Sequence, residues 1–373
     1  MTNSISQQRD CKYELIRILS IFFIVCNHTS GIIPLENPIH QYLSPVMLLS
    51  QTGVALFFFL SGKFALRKIL NADEEYKTFY FKKAIYLILP IVFYMVLQTA
   101  LKHFKDYGFS LDGLASTIIS DILFNHVKTP FWFVIVLVGN ILIAPFMAKA
   151  INGISKNMAL VFVGLGILHN TIYAYTPYFT DVEYIWTYPF AQWSIYFYIG
   201  GCIDKIITTP RDKKIAIILG VIGLSIIILK TLFFPYKRYL HDVMPSFTFF
   251  SIMIYILLQE INVESWSEKA KKVINFLGKR SFGIYLVHMI AILGVVRITP
   301  EQWKELPVVL FYLINVLLAF ICSIILSYLA DIVLLNPIQN LLVRLRGEKG
   351  ITTTSRSENS NELQTNYDRD DIE

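Results

Sequence analysis

Apolar residues in this chain arrive in unbroken blocks of about 18 to 25, not in alternation with polar ones. A helix of that length covers the ~30 Å hydrocarbon layer of a bilayer. In lipid a backbone must satisfy its own hydrogen bonds, which leaves only helices and closed barrels as spanning forms. Without the period-2 alternation of a strand, the blocks read as helices. The predicted fold class is therefore all-α, a polytopic membrane helix bundle. Ten candidate spans fall at 15–33, 43–62, 84–101, 129–148, 158–175, 185–203, 214–233, 243–260, 281–298 and 307–335. Charged residues are only 16% of the chain and the mean hydropathy is +0.53, whereas soluble domains are about 25% charged.

Charge placement sets the topology. With the N-terminus inside and ten alternating spans, the inner segments hold 24 lysines and arginines and the outer segments 8. That bias predicts cytoplasmic termini and an even number of spans. The net charge of +6 is then a topological signal. No basic surface interleaved with aromatic residues suggests nucleic acid. Three regions follow: a cytoplasmic leader at 1–14, a membrane domain at 15–346 and a polar tail at 347–373. The tail has three basic and seven acidic residues and one aromatic, too little apolar surface to fold alone. The first span follows a polar leader without a small-residue cleavage site, so it reads as a retained helix. The stretch from Leu111 to Phe124 suggests an interfacial helix. Cys11, Cys26, Cys202 and Cys322 form no CxxC pair, which argues against disulfides and structural zinc.

The first span carries Arg17 near its start and His28 deep inside. Eleven residues at 100° each bring the two side chains onto one face, about 16 Å apart along the axis. Ionisable groups at membrane depth are costly and mark candidate sites. Arginine offers planar donors that match phosphate oxygens. Histidine can take a proton from a hydroxyl near neutral pH. Plainer readings stay open: Arg17 paired with Glu14 one turn away or snorkelling to the interface, and His28 bonded to a neighbouring helix.

Further patterns lie along the chain in order. Phe57-Phe58-Phe59-Leu60-Ser61-Gly62 closes the second span. Trp132-Phe133 opens the fourth, and Tyr198-Ile199-Gly200-Gly201 ends the sixth. Leu277-Gly278-Lys279-Arg280-Ser281-Phe282-Gly283-Ile284-Tyr285-Leu286-Val287-His288 enters the ninth. Ser281, Tyr285 and His288 share one helical face. Together with Arg-x10-His these patterns resemble the integral-membrane acyltransferase type 3 family, over roughly residues 12 to 340.

The resemblance implies a ten-span core that moves acyl groups, most often acetyl, onto surface carbohydrate. It implies Arg17 and His28 as essential residues. It maps the serine-glycine pair to Ser61 and Gly62, the fourth-span tryptophan to Trp132, and the ninth-span serine, tyrosine and histidine to Ser281, Tyr285 and His288. Where the family often has an RxxR pair to help hold the donor, this chain has Lys83 and Tyr86. Where many relatives have a histidine two residues before the tryptophan, it has Pro130. The implied co-substrate is acetyl-CoA or another acyl-CoA, with no tightly bound cofactor and no metal. The implied partners are a carbohydrate acceptor, free or lipid-linked, and the lipids of a plasma or inner membrane.

Other readings compete. Ser61-Gly62 also suits a helix end, Lys82 and Lys83 an inner-face marker, and the ninth-span stripe a packing seam. Trp132, Trp186, Trp193 and Trp303 suit interfacial belts, though Gln192 and Trp193 lie deep enough to line an acceptor cleft. His40, His103, His126, His169 and His241 read as solvated loop or span-end histidines. A glycan exporter or other transporter would use the same intramembrane charges, and a polysaccharide polymerase is a further multi-span class.

Overall fold

The computed structural model describes residues 10–31, 39–124, 131–176, 192–233 and 243–346. The regular elements among the described residues are all helical. They are α1 (Cys11–Ser30), α2 (Ile39–Ala65), α3 (Asp73–Lys83), α4 (Leu89–Tyr107), α5 (Leu114–Phe124), α6 (Trp132–Gly153), α7 (Lys156–Tyr175), α8 (Ser194–Ile206), α9 (Pro210–Phe233), α10 (Pro245–Gln259), α11 (Glu268–Gly278), α12 (Ser281–Ile298), α13 (Val308–Ala330) and α14 (Asn336–Leu345). A π-helical turn, Ala84–Ile88, joins α3 to α4, and a second, Asp331–Leu335, joins α13 to α14. The leader to residue 9, Pro130, Trp186, His126, His241, the side chain of His40 and the tail from 347 lie outside the described residues.

Local chemistry starts the helices. Asp10 accepts from the Lys12 backbone amide at 2.9 Å ahead of α1, and Ser155 and Ser267 do the same for α7 and α11. Each cap satisfies an amide that the helix itself leaves bare. Among the described residues five helical stretches are long and apolar enough to cross a membrane: Asp73–Tyr107, Trp132–Gly153, Lys156–Tyr175, Ser281–Ile298 and Val308–Leu345. The expected span at 84–101 is thus the apolar middle of a longer helix, and that at 307–335 the N-terminal part of another. The helices in two others are short. α8 has 13 residues and α10 has 15, about 20 and 22 Å at 1.5 Å per residue. The expected helix at Leu111–Phe124 appears as α5.

Contacts at the helix ends fix their directions. Lys63 near the end of α2 pairs with Asp204 near the end of α8. Asn152 near the end of α6 donates to the Leu66 carbonyl at 2.9 Å. So α2, α6 and α8 finish on one face. The ion pair of Lys156 with Asp212, at 2.5 Å, brings the starts of α7 and α9 to the same face. Lys213 pairs with Glu260 there at the end of α10. The Tyr13 ring at the start of α1 lies 5.1 Å from Phe64, and Glu14 packs on Gly278, just ahead of α12. This face is rich in lysine. α1 lies in the centre, against α2, α10, α11, α12 and α13. Outward faces are apolar: α9 exposes Ile218, Val221 and Leu229, and α13 exposes Leu317, Ile321 and Ile325. Such surfaces suit lipid.

One crossing depends on glycine. A Cβ on Gly62 would collide with the Phe197 main chain, and one on Gly200 with the Phe59 main chain. The contact is reciprocal, so α2 and α8 run backbone to backbone. Close approach of this kind replaces the hydrophobic drive that helices lack in lipid.

Candidate functional site

α1 is unbroken from Cys11 to Ser30, so the stripe from Arg17 to His28 is present. At its lower end, near the lysine-rich face, Arg17 Nη1 pairs with Glu14. The guanidinium also lies over the Phe64 ring of α2, 5.1 Å from its centre. Glu14 is only 1% exposed. Pairing with Glu14, one of the plainer sequence readings, is therefore real. It engages one nitrogen of a group that carries five donors.

At the upper end His28 is half-buried and meets His288 of α12, with ring centres 5.0 Å apart and planes tilted by 48°. Two neighbouring helices hold this level in place. Tyr312 on α13 donates its hydroxyl to the Cys26 carbonyl at 3.0 Å. Gln98 on α4 donates to the Leu286 carbonyl at 2.9 Å. His288 is 1% exposed, and its Nδ1 bonds the carbonyl of Tyr285 one turn back. A carbonyl oxygen only accepts, so Nδ1 is the protonated nitrogen. Nε2 is buried and has no hydrogen-bond partner among the described residues.

Aromatic rings extend from this pair to the starts of α6 and α8. Tyr285 lies 5.2 Å from His288 and 4.9 Å from Phe133. Trp132 lies 6.2 Å from Phe133 and stacks on Trp193 at 4.7 Å. The two tryptophans are partly exposed. Gln192, just before Trp193, has φ 53°. Asn170 holds it on both sides: its Nδ2 donates to the Gln192 carbonyl at 3.1 Å, and its Oδ1 accepts from the Gln192 amide at 2.5 Å.

The structure thus brings His28, His288, Tyr285 and Trp132 into one row of ring contacts. Ser281 starts α12 and is buried two turns below His288. Ser61 and Gly62 are elsewhere, at the α2–α8 crossing. The Ser61 hydroxyl donates to the Phe57 carbonyl at 2.8 Å within its own helix. The reading of this pair as a helix end is corrected, because α2 continues to Ala65. Lys83 ends α3 with its ammonium 5.3 Å from the centre of the Phe79 ring. Tyr86 lies in the π-turn that follows, a rare bulge that recurs at functional sites. A cavity of about 820 Å³ opens beside Asp10, Lys12, Glu260, Glu264 and Lys271. Its acids outnumber its lysines, and Arg17, Lys83 and Tyr86 are not among its described lining residues. Among the described residues no three His, Cys, Asp or Glu side chains gather as metal ligands. All four cysteines are unpaired.

Sequence reasoning passed over Gln98, Asn170 and Gln339, each an amide side chain in or beside an apolar helix. That placement was itself a signal, since polar groups at such depth seek partners on other helices. His103 is a correction. It is buried, with Nε2 3.1 Å from the Ser110 carbonyl and its ring 5.0 Å from Tyr107. The block ending near 101 was only part of a helix that runs to Tyr107.

A family model described as an acyltransferase domain, of type 3, matches residues 12–329. No curated protein and no solved structure matches the chain.

Proposed function

The chain belongs to the acyltransferase type 3 family, and on that premise we propose a membrane O-acyltransferase that moves acetyl from acetyl-CoA to a hydroxyl of a cell-envelope or exopolysaccharide glycan. The proposal includes ten spans in a plasma or inner membrane, with both termini in the cytoplasm. The lysine-rich face, where α1 starts and α2, α6, α8 and α10 end, supports that orientation.

The observation that carries the reading is His28, a half-buried imidazole at the upper end of a stripe that begins at Arg17. Acyl-CoA is a cytosolic donor with phosphates at one end and a thioester at the end of a long arm. In this reading Arg17 and Lys83 attract the phosphates, and the arm rises toward His28. The acceptor enters from the far face past Trp132 and Tyr285. His28 takes the hydroxyl proton as the oxygen attacks the thioester carbon. The C–S bond breaks, and the leaving thiolate takes the proton from the imidazolium.

Inverted membrane vesicles from cells expressing the full chain, given radiolabelled acetyl-CoA, test this. Label is expected in the glycan fraction and is expected to vanish in His28→Ala. Normal labelling by His28→Ala at wild-type abundance would overturn the catalytic reading. Glycan flux without covalent acetyl transfer would favour an exporter.

A further inference from the structure

A base alone does not explain why a second imidazole is sealed beside His28. We infer that His288 is a positioning residue that orients His28 and stabilises its imidazolium, in the place that a carboxylate fills in a nucleophile–base–acid triad. The inference rests on the reading of His28 as general base and adds to it.

The geometry supplies each link. The Tyr285 carbonyl takes the Nδ1 proton of His288, so in the neutral ring the lone pair is on Nε2. That nitrogen is buried and has no hydrogen-bond partner among the described residues. A buried acceptor without a donor is costly and is rarely left so in a native structure. The ring of His28 lies beside His288, at 5.0 Å between centres. Ring nitrogens lie about 1.2 Å out from the centre, so two imidazoles joined edge to edge by a straight bond of ~3 Å have centres about 5.4 Å apart, and nearer when the bond is bent. A small swing of the half-buried His28 ring closes the bond. Such bonds are often loose before substrate binds.

The chemistry then follows. His28 donates one ring N–H to His288 Nε2, which leaves the lone pair of its other nitrogen for the acceptor hydroxyl. When His28 takes the hydroxyl proton, its positive charge strengthens the bond to His288. The proton then passes from His28 to the departing thiolate. His288 gains and loses none, so the balance of the reaction is unchanged. The Tyr285 carbonyl is what makes an imidazole usable in this place, because it fixes which nitrogen accepts.

Two measurements test the inference. The first uses the vesicle assay. His288→Leu is expected to lower kcat by about 100-fold or more, with the KM for acetyl-CoA nearly unchanged. His288→Gln, whose side-chain oxygen can accept the same bond, is expected to recover part of the loss. Equal loss in both variants, or wild-type kcat in His288→Leu, would overturn it. The second needs no acceptor. Nitrogen NMR of the full-length protein in lipid nanodiscs, with labelled histidine, reports the tautomers. His288 is expected with its proton on Nδ1. His28 is expected as a single tautomer that becomes a mixture in His288→Leu. A proton on Nε2 of His288, or an unchanged His28 in that variant, would sink the pairing even if His28 itself proves catalytic. Retained activity in His28→Ala would instead remove the general-base reading while the tautomers still judge the pair.

Discussion

Gln339 on α14 donates its side-chain amide to the backbone oxygen of Ile85, 3.1 Å away and 254 residues back in the chain. Ile85 lies in the π-turn that follows Lys83, and Gln339 lies just past the second π-turn. Helix α14 therefore braces the segment that carries Lys83, the proposed donor contact. Arg346, over the Phe81 ring at 4.1 Å, adds to the brace. Gln339→Leu leaves a buried carbonyl without its donor, a cost of roughly 1–3 kcal/mol. The expected outcome is a lower melting temperature and a raised KM for acetyl-CoA, with kcat little changed. An unchanged KM would show that the brace serves stability alone.

Arg17 and Glu14 must be tested together. Arg17→Ala takes its ion pair from a buried carboxylate, a loss of roughly 3–5 kcal/mol. Failure of that variant would say nothing about the donor. Arg17→Met with Glu14→Gln removes both charges of the pair. The double variant is expected to accumulate in the membrane yet transfer little acetyl. Full activity in it would reduce Arg17 to a partner for Glu14.

The α2–α8 crossing predicts a sharp contrast between neighbours. Gly62→Ala and Gly200→Ala each push a methyl group into opposing main chain, which has no flexible end to yield. Each is expected to cost roughly 3 kcal/mol or more and to deplete the protein from membranes. Ser61→Ala removes a bond made within the same helix and is expected to cost no more than about 1 kcal/mol. Quantifying each variant by monodisperse yield checks both.

Acid is expected to loosen the lysine-rich face. Lys156, first, and then the Thr209 and Thr208 groups hold the Asp212 carboxyl below its usual value of 3.8. A depressed carboxyl contributes stability above its unfolded value and loses it as pH falls through the folded one. Melting temperature should therefore fall more steeply below about pH 4 in the wild type than in Asp212→Asn. Parallel curves would remove Asp212 from the acid response.

What the sequence shows of this bundle is what lies within one helix. The Arg17–His28 stripe and the shared face of Ser281, Tyr285 and His288 follow from the helical period alone. The meeting of His28 with His288 does not, because it depends on how α1 and α12 pack after 259 intervening residues. Helix ends misled where hydropathy stood in for geometry. Apolar blocks stop at the edge of lipid, but helices continue past it, which is why His103 and Gly62 were misplaced. The pairing of Glu14 with Arg17 follows from the helical period, but the depth that makes it matter comes from α11 closing over it at Gly278.

Gln192 offers a last test, since its strain and its restraint are both visible. A non-glycine residue in the left-handed region costs about 1–2 kcal/mol, and the two bonds from buried Asn170 hold it there. Asn170→Ala is expected to destabilise the protein by about 2 kcal/mol and to shift tryptophan emission, because Trp193 follows directly and stacks on Trp132. Gln192→Gly relieves the side-chain clash but adds backbone freedom, so it is expected to change stability by no more than about 1 kcal/mol. The two changes together should recover part of the loss seen in Asn170→Ala. If glycine restores nothing, Asn170 acts through its own packing, and the turn before Trp193 does not set the tryptophan pair.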